Sequence, residues 1–214
     1  MQKFHPPPLL FPAIQVEYLL VRKDIVAPET LREQASLTGR QCSISACERL
    51  GLAHAVIGKD AQGRPLFPSG IVGSISHSDA YAIAMAGTEI QWKSLGIDIE
   101  PVTPSARQVE AIEKKILTLE ERRKWGGDFQ AILALFTLKE AAFKCMNWLQ
   151  PCRINSFEIT KWTKDELTIS LRGGGRALPL LAYTEMNEDL QHRISMVALS
   201  QSAFADMQIP HAAP

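Results

Sequence analysis

The segment from Asp128 to Asn147 constrains the fold more than any other part of the chain. It holds Phe129, Ile132, Leu133, Leu135, Phe136, Leu138, Ala141, Ala142 and Phe143, so a helix built on it is apolar nearly all round. Such a helix must be buried, and Asp128 is placed to cap it. Glu140 and Lys144 nonetheless stand within it at i,i+4 spacing, in line with Ile132 and Phe136. Charges in a buried helix cost free energy unless they are paired or face a polar cleft. Either the two form a simple salt bridge across one turn, or Glu140 completes an acid cluster while Lys144 reaches a phosphate.

The chain has 214 residues, enough for one large domain or two small ones with a real core. Lys+Arg and Asp+Glu both count 23, so the formal net charge is zero. That balance argues against nucleic-acid or membrane binding through bulk charge. The four cysteines, Cys42, Cys47, Cys145 and Cys152, form no Cys-x-x-Cys pair. They read as reduced thiols of a cytoplasmic protein rather than zinc ligands. Met1 to Pro12 carries one lysine and no long apolar run, so it reads as an extended arm and not a secretory signal. No apolar stretch approaches the ~20 residues that span a bilayer.

Ile14–Val21 reads as a strand, and Pro28-Glu29 opens a helix running to about Leu50, where Gly51 stops it. Ile71–Ser76, Tyr81–Ala86 and Leu95–Glu100 read as strands. The prolines of Pro101-Val102-Thr103-Pro104 mark the best internal boundary. Ala106–Ile116 and Leu119–Trp125 read as short helices, and Ile154–Thr160, Glu166–Leu171, Leu178–Tyr183 and Ile194–Leu199 as strands. The tail after Ser200 reads as poorly ordered. Each half combines helix with several strands, which predicts an α+β fold of two similar-sized halves.

Asp98 and Glu100 alternate with Ile97 and Ile99, so on a strand the acids share one face and the isoleucines the other. Adjacent carboxylates repel unless a cation lies between them, and hard oxygen ligands suit magnesium and its phosphate partners. Taken alone, the segment also reads as a solvated acidic face. Ser74-Ile75-Ser76-His77-Ser78 can offer backbone and side-chain donors to a phosphate, or be a capped turn with a surface histidine. A Ser/His hydrolase is the obvious rival, weakened because no Gly-x-Ser-x-Gly elbow is present. Arg32 and Arg40 lie close to two helical turns apart and share a face, whereas Arg49 reads as solvated. Arg64, between Gly63 and Pro65, sits on a turn from which its guanidinium could cover a nucleotide. Gly173-Gly174-Gly175 reads as a β-turn, without the lysine-hydroxyl pair of a phosphate loop.

Each segment is weak alone, but their order is informative. Thr38-Gly39-Arg40, Gly63–Gly70, Gly73–Ser78, Gly96–Glu100, Ile116–Arg122 and Phe136–Lys144 together resemble a 4′-phosphopantetheinyl transferase. The likeness is to the two-lobed, monomeric, enterobactin-synthetase type. It implies two pseudo-symmetric α+β lobes, each a small mostly antiparallel sheet packed with helices, here 1–102 and 103–214. It implies an active site between them, where phosphopantetheine passes from coenzyme A to a serine of an apo acyl or peptidyl carrier protein. The second product is adenosine 3′,5′-bisphosphate. Carried over by motif, Asp98, Glu100 and Glu140 hold Mg2+, and Glu140 is the base. Lys144 and His77 contact the pyrophosphate. Ser76, His77 and Arg40, with Arg32, surround the 3′-phosphate, and Arg64 lies near the adenine. The chain departs from the family at Phe136, where tryptophan is usual, and at Leu31, where a second basic residue is usual. A generic magnesium-dependent phosphate hydrolase would not need the Ser-His turn or Arg64-Pro65. A non-catalytic binding module would not need all three acids and Lys144.

Overall fold

The computed structural model describes residues 2, 3, 7, 10–21, 31–163, 167–172 and 177–207. Pro28, Glu29, Glu166 and the triple glycine fall outside them. In chain order the elements begin with strands β1 (Gln2–Lys3) and β2 (Gln15–Leu20) and helix α1 (Leu31–Arg49). A hairpin of β3 (Gly58–Lys59) and β4 (Pro65–Leu66) leads to β5 (Ile71–His77), β6 (Tyr81–Thr88) and β7 (Trp92–Pro101). Helices α2 (Ala106–Lys115), α3 (Leu119–Trp125) and α4 (Phe129–Met146) follow. The chain then forms β8 (Phe157–Trp162), β9 (Leu167–Leu171), β10 (Leu181–Asn187), β11 (His192–Ser200) and α5 (Gln201–Asp206).

Two antiparallel sheets result, ordered β1-β2-β6-β5 and β10-β11-β7, beside the hairpins β3-β4 and β8-β9. The two main sheets repeat one connection. In the first, β2 leads through α1 to β5, and β6 returns between β2 and β5. In the second, β7 leads through α4 to β10, and β11 returns between β7 and β10. The fold is therefore mixed α+β, with small antiparallel sheets packed by helices.

Side-chain alternation separates the layers. On β6, Ala82, Ala84 and Ala86 meet the small residues Ala35, Cys42, Ala46 and Cys47 of α1. Ile83 and Met85 face the other way and join Leu95, Ile97 and Ile99 of β7 and Ile194 and Met196 of β11. The sheets thus pack face to face, with α1 outside one and α4 outside the other. Against α4 lie Val197 and Leu199 of β11 and Phe157, Ile159 and Ile169 of the β8-β9 hairpin. The apolar helix is enclosed as its composition requires.

Two glycines set the distances between layers. A Cβ on Gly96 would lie 1.9 Å from the Ala141 carbonyl oxygen, so only glycine lets α4 approach β7 this closely. A Cβ on Gly39 would lie 2.7 Å from Ile75, which brings α1 onto β5.

The structure corrects several boundaries. Ile154–Ser156 is a 3-10 turn before β8 begins at Phe157. Strand β10 starts at Leu181 rather than Leu178. The start of the chain pairs Gln2–Lys3 with β2. The segment after Ser200 is helical because the Ser200 hydroxyl accepts from Ala203 N at 3.1 Å, and Gln201 Nε2 donates to the Glu89 carbonyl at 2.7 Å. Arg49 is not simply solvated, since its guanidinium pairs with the buried Glu17 of β2. All four cysteines are free, and Cys42, Cys47 and Cys145 are buried. Among the described residues no helix is long and apolar enough to cross a membrane.

Candidate active site

Strand β5 carries the division on which the site is built. Ile75 and His77 point toward α1, while Ser74 and Ser76 point toward β7. β7 is hydrogen-bonded to β11 along one edge, and Ser74 Oγ accepts from the Ile97 amide at the other, at 3.2 Å. The small serines let β5 lie against that edge.

On the β7 side, Ser94, Gly96, Asp98 and Glu100 face α4. Asp98 is 3% exposed, so it does not lie on a solvated acidic face. Its Oδ1 accepts from Ser76 Oγ at 2.8 Å and from Lys144 Nζ at 2.7 Å. Lys144 also donates to Ser76 Oγ at 2.8 Å and to the Ile97 carbonyl at 3.1 Å. The lysine of α4 therefore pairs with the strand acid and not with Glu140 one turn away. Asp98 Oδ2 is shielded from solvent and has no partner.

Electrostatics shows an excess of negative charge here. Burial raises the Glu100 carboxyl to about 8, with Asp98, Glu140 and Asp79 adding to the rise and Lys144 opposing it. Burial and Asp98 likewise raise Glu140, again against Lys144. This cluster fits a hard divalent cation: Asp98 keeps an unused shielded oxygen, the Glu100 and Glu140 carboxyls are both raised by burial and by Asp98, and an ammonium already meets the other oxygen of Asp98. Among the described residues no three acids, histidines or cysteines are grouped closely enough to hold a metal ion as they stand.

A carboxyl whose folded pKa is raised stabilises the fold fully below the ordinary carboxylate range, and that stability is lost as pH climbs through the folded value. In metal-free buffer the melting temperature of Glu100→Gln minus that of wild type should widen between pH 4.5 and about 8. Parallel melting curves across that window would place Glu100 in a less perturbed setting.

On the α1 side lies a cavity of about 700 Å³ lined by Arg32, Arg40, Lys59, Gly63, Pro65 and His77, among others. Arg32 and Arg40 share the face that helical spacing predicts. The Arg40 Nε is buried without a partner, which suits an anion. Lys59 donates to Ser36 Oγ at 2.9 Å. Partial desolvation lowers the His77 pKa first, followed by the charges of Lys144 and Arg32, with its own backbone and Asp98 opposing. His77 is exposed on the cavity wall, while the next-door Ser76 belongs to the acid side.

Arg64 lies outside the basic cavity, on the Lys144 side. Its Nε pairs with Asp60 at 2.6 Å, and its guanidinium lies 4.0 Å above the Trp148 ring. It borders a smaller cavity of about 160 Å³ with Lys144, Phe143, Asn147 and Trp148. The stacking on Trp148 was not legible from sequence, since 84 positions separate the two residues and no periodicity links them.

Sequence reasoning also missed the role of Lys139. It is fully buried and pairs with Glu121 of α3 at 2.5 Å while donating to the Ile116 carbonyl at 3.0 Å. Glu121 further accepts from the Thr118 amide at 2.8 Å and the Ile159 amide at 2.7 Å. The capping-box pattern Thr118-x-x-Glu121 was the available signal, but its reach to α4 was not.

Residues 25–87 match the 4′-phosphopantetheinyl transferase N-terminal domain, and residues 94–194 match the 4′-phosphopantetheinyl transferase superfamily. The chain belongs to the 4′-phosphopantetheinyl transferase superfamily, in its enterobactin-synthase type. The 4′-phosphopantetheinyl transferase Npt of Nocardia iowensis is 32% identical over 59% of this chain and 57% of its own length. The enterobactin synthase component D of Escherichia coli O157:H7 is 29% identical over 64% of this chain and 66% of its own. The chain thus spans between about half and two thirds of the curated relatives it matches. The solved structure of Helicobacter pylori holo-[acyl-carrier-protein] synthase in complex with coenzyme A aligns with 49% of this chain and 99% of its own, at TM-score 0.36 and 19% identity.

Proposed function

We propose that the protein transfers 4′-phosphopantetheine from coenzyme A to a serine of an apo acyl or peptidyl carrier protein, releasing adenosine 3′,5′-bisphosphate. The observation that carries this reading is a basic cavity and an acid–lysine cluster on opposite faces of β5. A basic cavity with an unsatisfied arginine suits the 3′-phosphate, and an acid–lysine cluster next to it suits the pyrophosphate. Ser76 and His77, consecutive residues on opposite faces, link the two.

In the reaction the carrier serine oxygen bonds to the pantetheine-bearing phosphorus, and that phosphorus releases the bridging oxygen to the adenosine product. Glu140 takes the serine proton; burial and the neighbouring Asp98 raise its carboxyl, which makes it a stronger base than an ordinary carboxylate. Lys144 and His77 meet the charge growing on the leaving phosphate. Asp98, Glu100 and Glu140 would hold Mg2+, which neutralises the non-bridging oxygens when bound. Arg32 and Arg40 take the 3′-phosphate, and Arg64 borders the path of the nucleotide.

We read the chain as two lobes of similar size, 1–102 and 103–214, with the site between them. The repeated connection supports two lobes, though its second copy already begins at β7 (Trp92–Pro101), which bonds to β11 while its other edge meets β5. We also read the protein as a cytoplasmic monomer that binds neither nucleic acid nor membrane, a reading supported by four free cysteines and zero formal net charge.

The test is incubation with coenzyme A, Mg2+ and a panel of apo-carrier proteins, read by intact mass. Each substrate carrier should gain one phosphopantetheine. If every carrier keeps its apo mass while a control transferase modifies them, the reading fails.

Arg40 has its own test. Coenzyme A should bind wild type more tightly than 3′-dephospho-coenzyme A, and Arg40→Ala should shrink that difference because its share of the contact is already gone. Equal differences in both proteins would assign Arg40 another role.

A further inference from the structure

His192 opens β11 and is 5% exposed, yet no step of the transfer uses it. Its Nδ1 lies 2.6 Å from the Leu190 carbonyl oxygen. A carbonyl only accepts, so Nδ1 carries the hydrogen and the Nε2 of the neutral ring is an acceptor. Nε2 lies 2.9 Å from Ser78 Oγ, so the Ser78 hydroxyl donates to it. The lone pairs of that hydroxyl accept from the Ala80 amide at 3.2 Å and the Tyr81 amide at 3.1 Å. The Ser78 amide donates to the Tyr81 carbonyl at 2.8 Å. The His192 ring also meets Tyr81 edge-on, with centroids 5.1 Å apart.

A Ser–His pair invites comparison with a hydrolytic nucleophile. Here the Ser78 oxygen is occupied by two amides, and a carbonyl rather than a carboxylate orients the ring, so the pair is built to hold and not to react. What it holds is the turn between β5 and β6. The serine closes the turn from within, and His192 fixes that serine from the other sheet. The residue before Ser78 is His77, which faces the Arg32–Arg40 cavity.

We propose that His192 is a positioning residue that, through Ser78, holds the β5–β6 turn so that His77 is presented to the nucleotide cavity. The proposal rests on the nucleotide-binding reading above. It differs from a purely structural role because its effect on ligand affinity runs through His77.

The test uses the full chain and adenosine 3′,5′-bisphosphate as probe, with affinity measured by calorimetry and turn protection by hydrogen exchange. His192→Phe keeps ring volume and the Tyr81 contact but loses both nitrogens. Ser78→Ala removes the same contact from the turn side, and decides the matter even where His192→Phe loses the fold. Each variant should weaken binding about tenfold, the scale of one well-placed hydrogen bond. The double variant should be no weaker than either single one. His192→Gln, which keeps an acceptor, should recover most of the affinity. Exchange in the 77–81 turn should quicken in His192→Phe and Ser78→Ala. In a His77→Ala background, His192→Phe should cost nothing further. Unchanged exchange in the turn, or a full further loss in that background, overturns the proposal. Wild-type binding that both variants leave intact overturns it alone, whereas a wild type that binds no bisphosphate overturns the cavity reading and the proposal together.

Discussion

Glu140→Gln should lower turnover by about 10²- to 10⁴-fold, the usual worth of a general base. The same substitution should hold or raise the melting temperature in magnesium-free buffer. Both outcomes have one cause. The Glu140 carboxyl is half-buried beside Asp98, which raises its pKa, so ionising it costs free energy in the empty site. An amide of the same shape removes the repulsion and removes the base. Turnover and thermal unfolding measured on one preparation separate this from misfolding. Near wild-type turnover would take Glu140 out of the chemistry, and a large drop in melting temperature would make it structural.

Lys139→Met should destabilise the fold by about 3–5 kcal/mol, because it leaves Glu121 charged and enclosed without its counter-ion. Glu121 keeps its two backbone donors, but these do not neutralise the charge. Replacing both partners, as Lys139→Met with Glu121→Gln, should recover a large part of the loss, since neutral groups of similar volume avoid the cost of a lone buried charge. Denaturant unfolding of the two single variants and the double variant tests this. A Lys139→Met protein within about 1 kcal/mol of wild type would show that Glu121 finds another way to shed its charge.

The contrast between the two lysines of α4 shows what was legible in the sequence. Both interrupt an apolar helix, and only Lys144 stands in line with Glu140. Helical periodicity located α4, and strand alternation put Asp98 and Glu100 on one face, because both rules are local. The partners of these charges are not local. Lys144 meets an acid on β7, Lys139 one on α3, and Arg49 one on β2. Those pairings depend on how sheets and helices stack, which no spacing encodes. The short α5 was missed for a related reason: six residues have little helical preference of their own, and contacts from Ser200 and Gln201 hold them. The Pro101 boundary also looked cleaner in sequence than in structure, where β7 runs through Pro101 and pairs with β11 as far as His192.

The alternation of Ser76 and His77 imposes a parity rule on this region. One face of β5 must show a hydroxyl to Asp98 and the other an imidazole to the arginines. Inserting or deleting a single residue within the strand would exchange every side chain between faces. The imidazole would then press on the Lys144 ammonium, and the serine would turn toward a cavity built for a donor of greater reach. Length changes inside β5 are therefore tolerable only in even numbers. Odd changes must be absorbed before Ile71, since the Ser78 contacts hold the turn directly beyond His77.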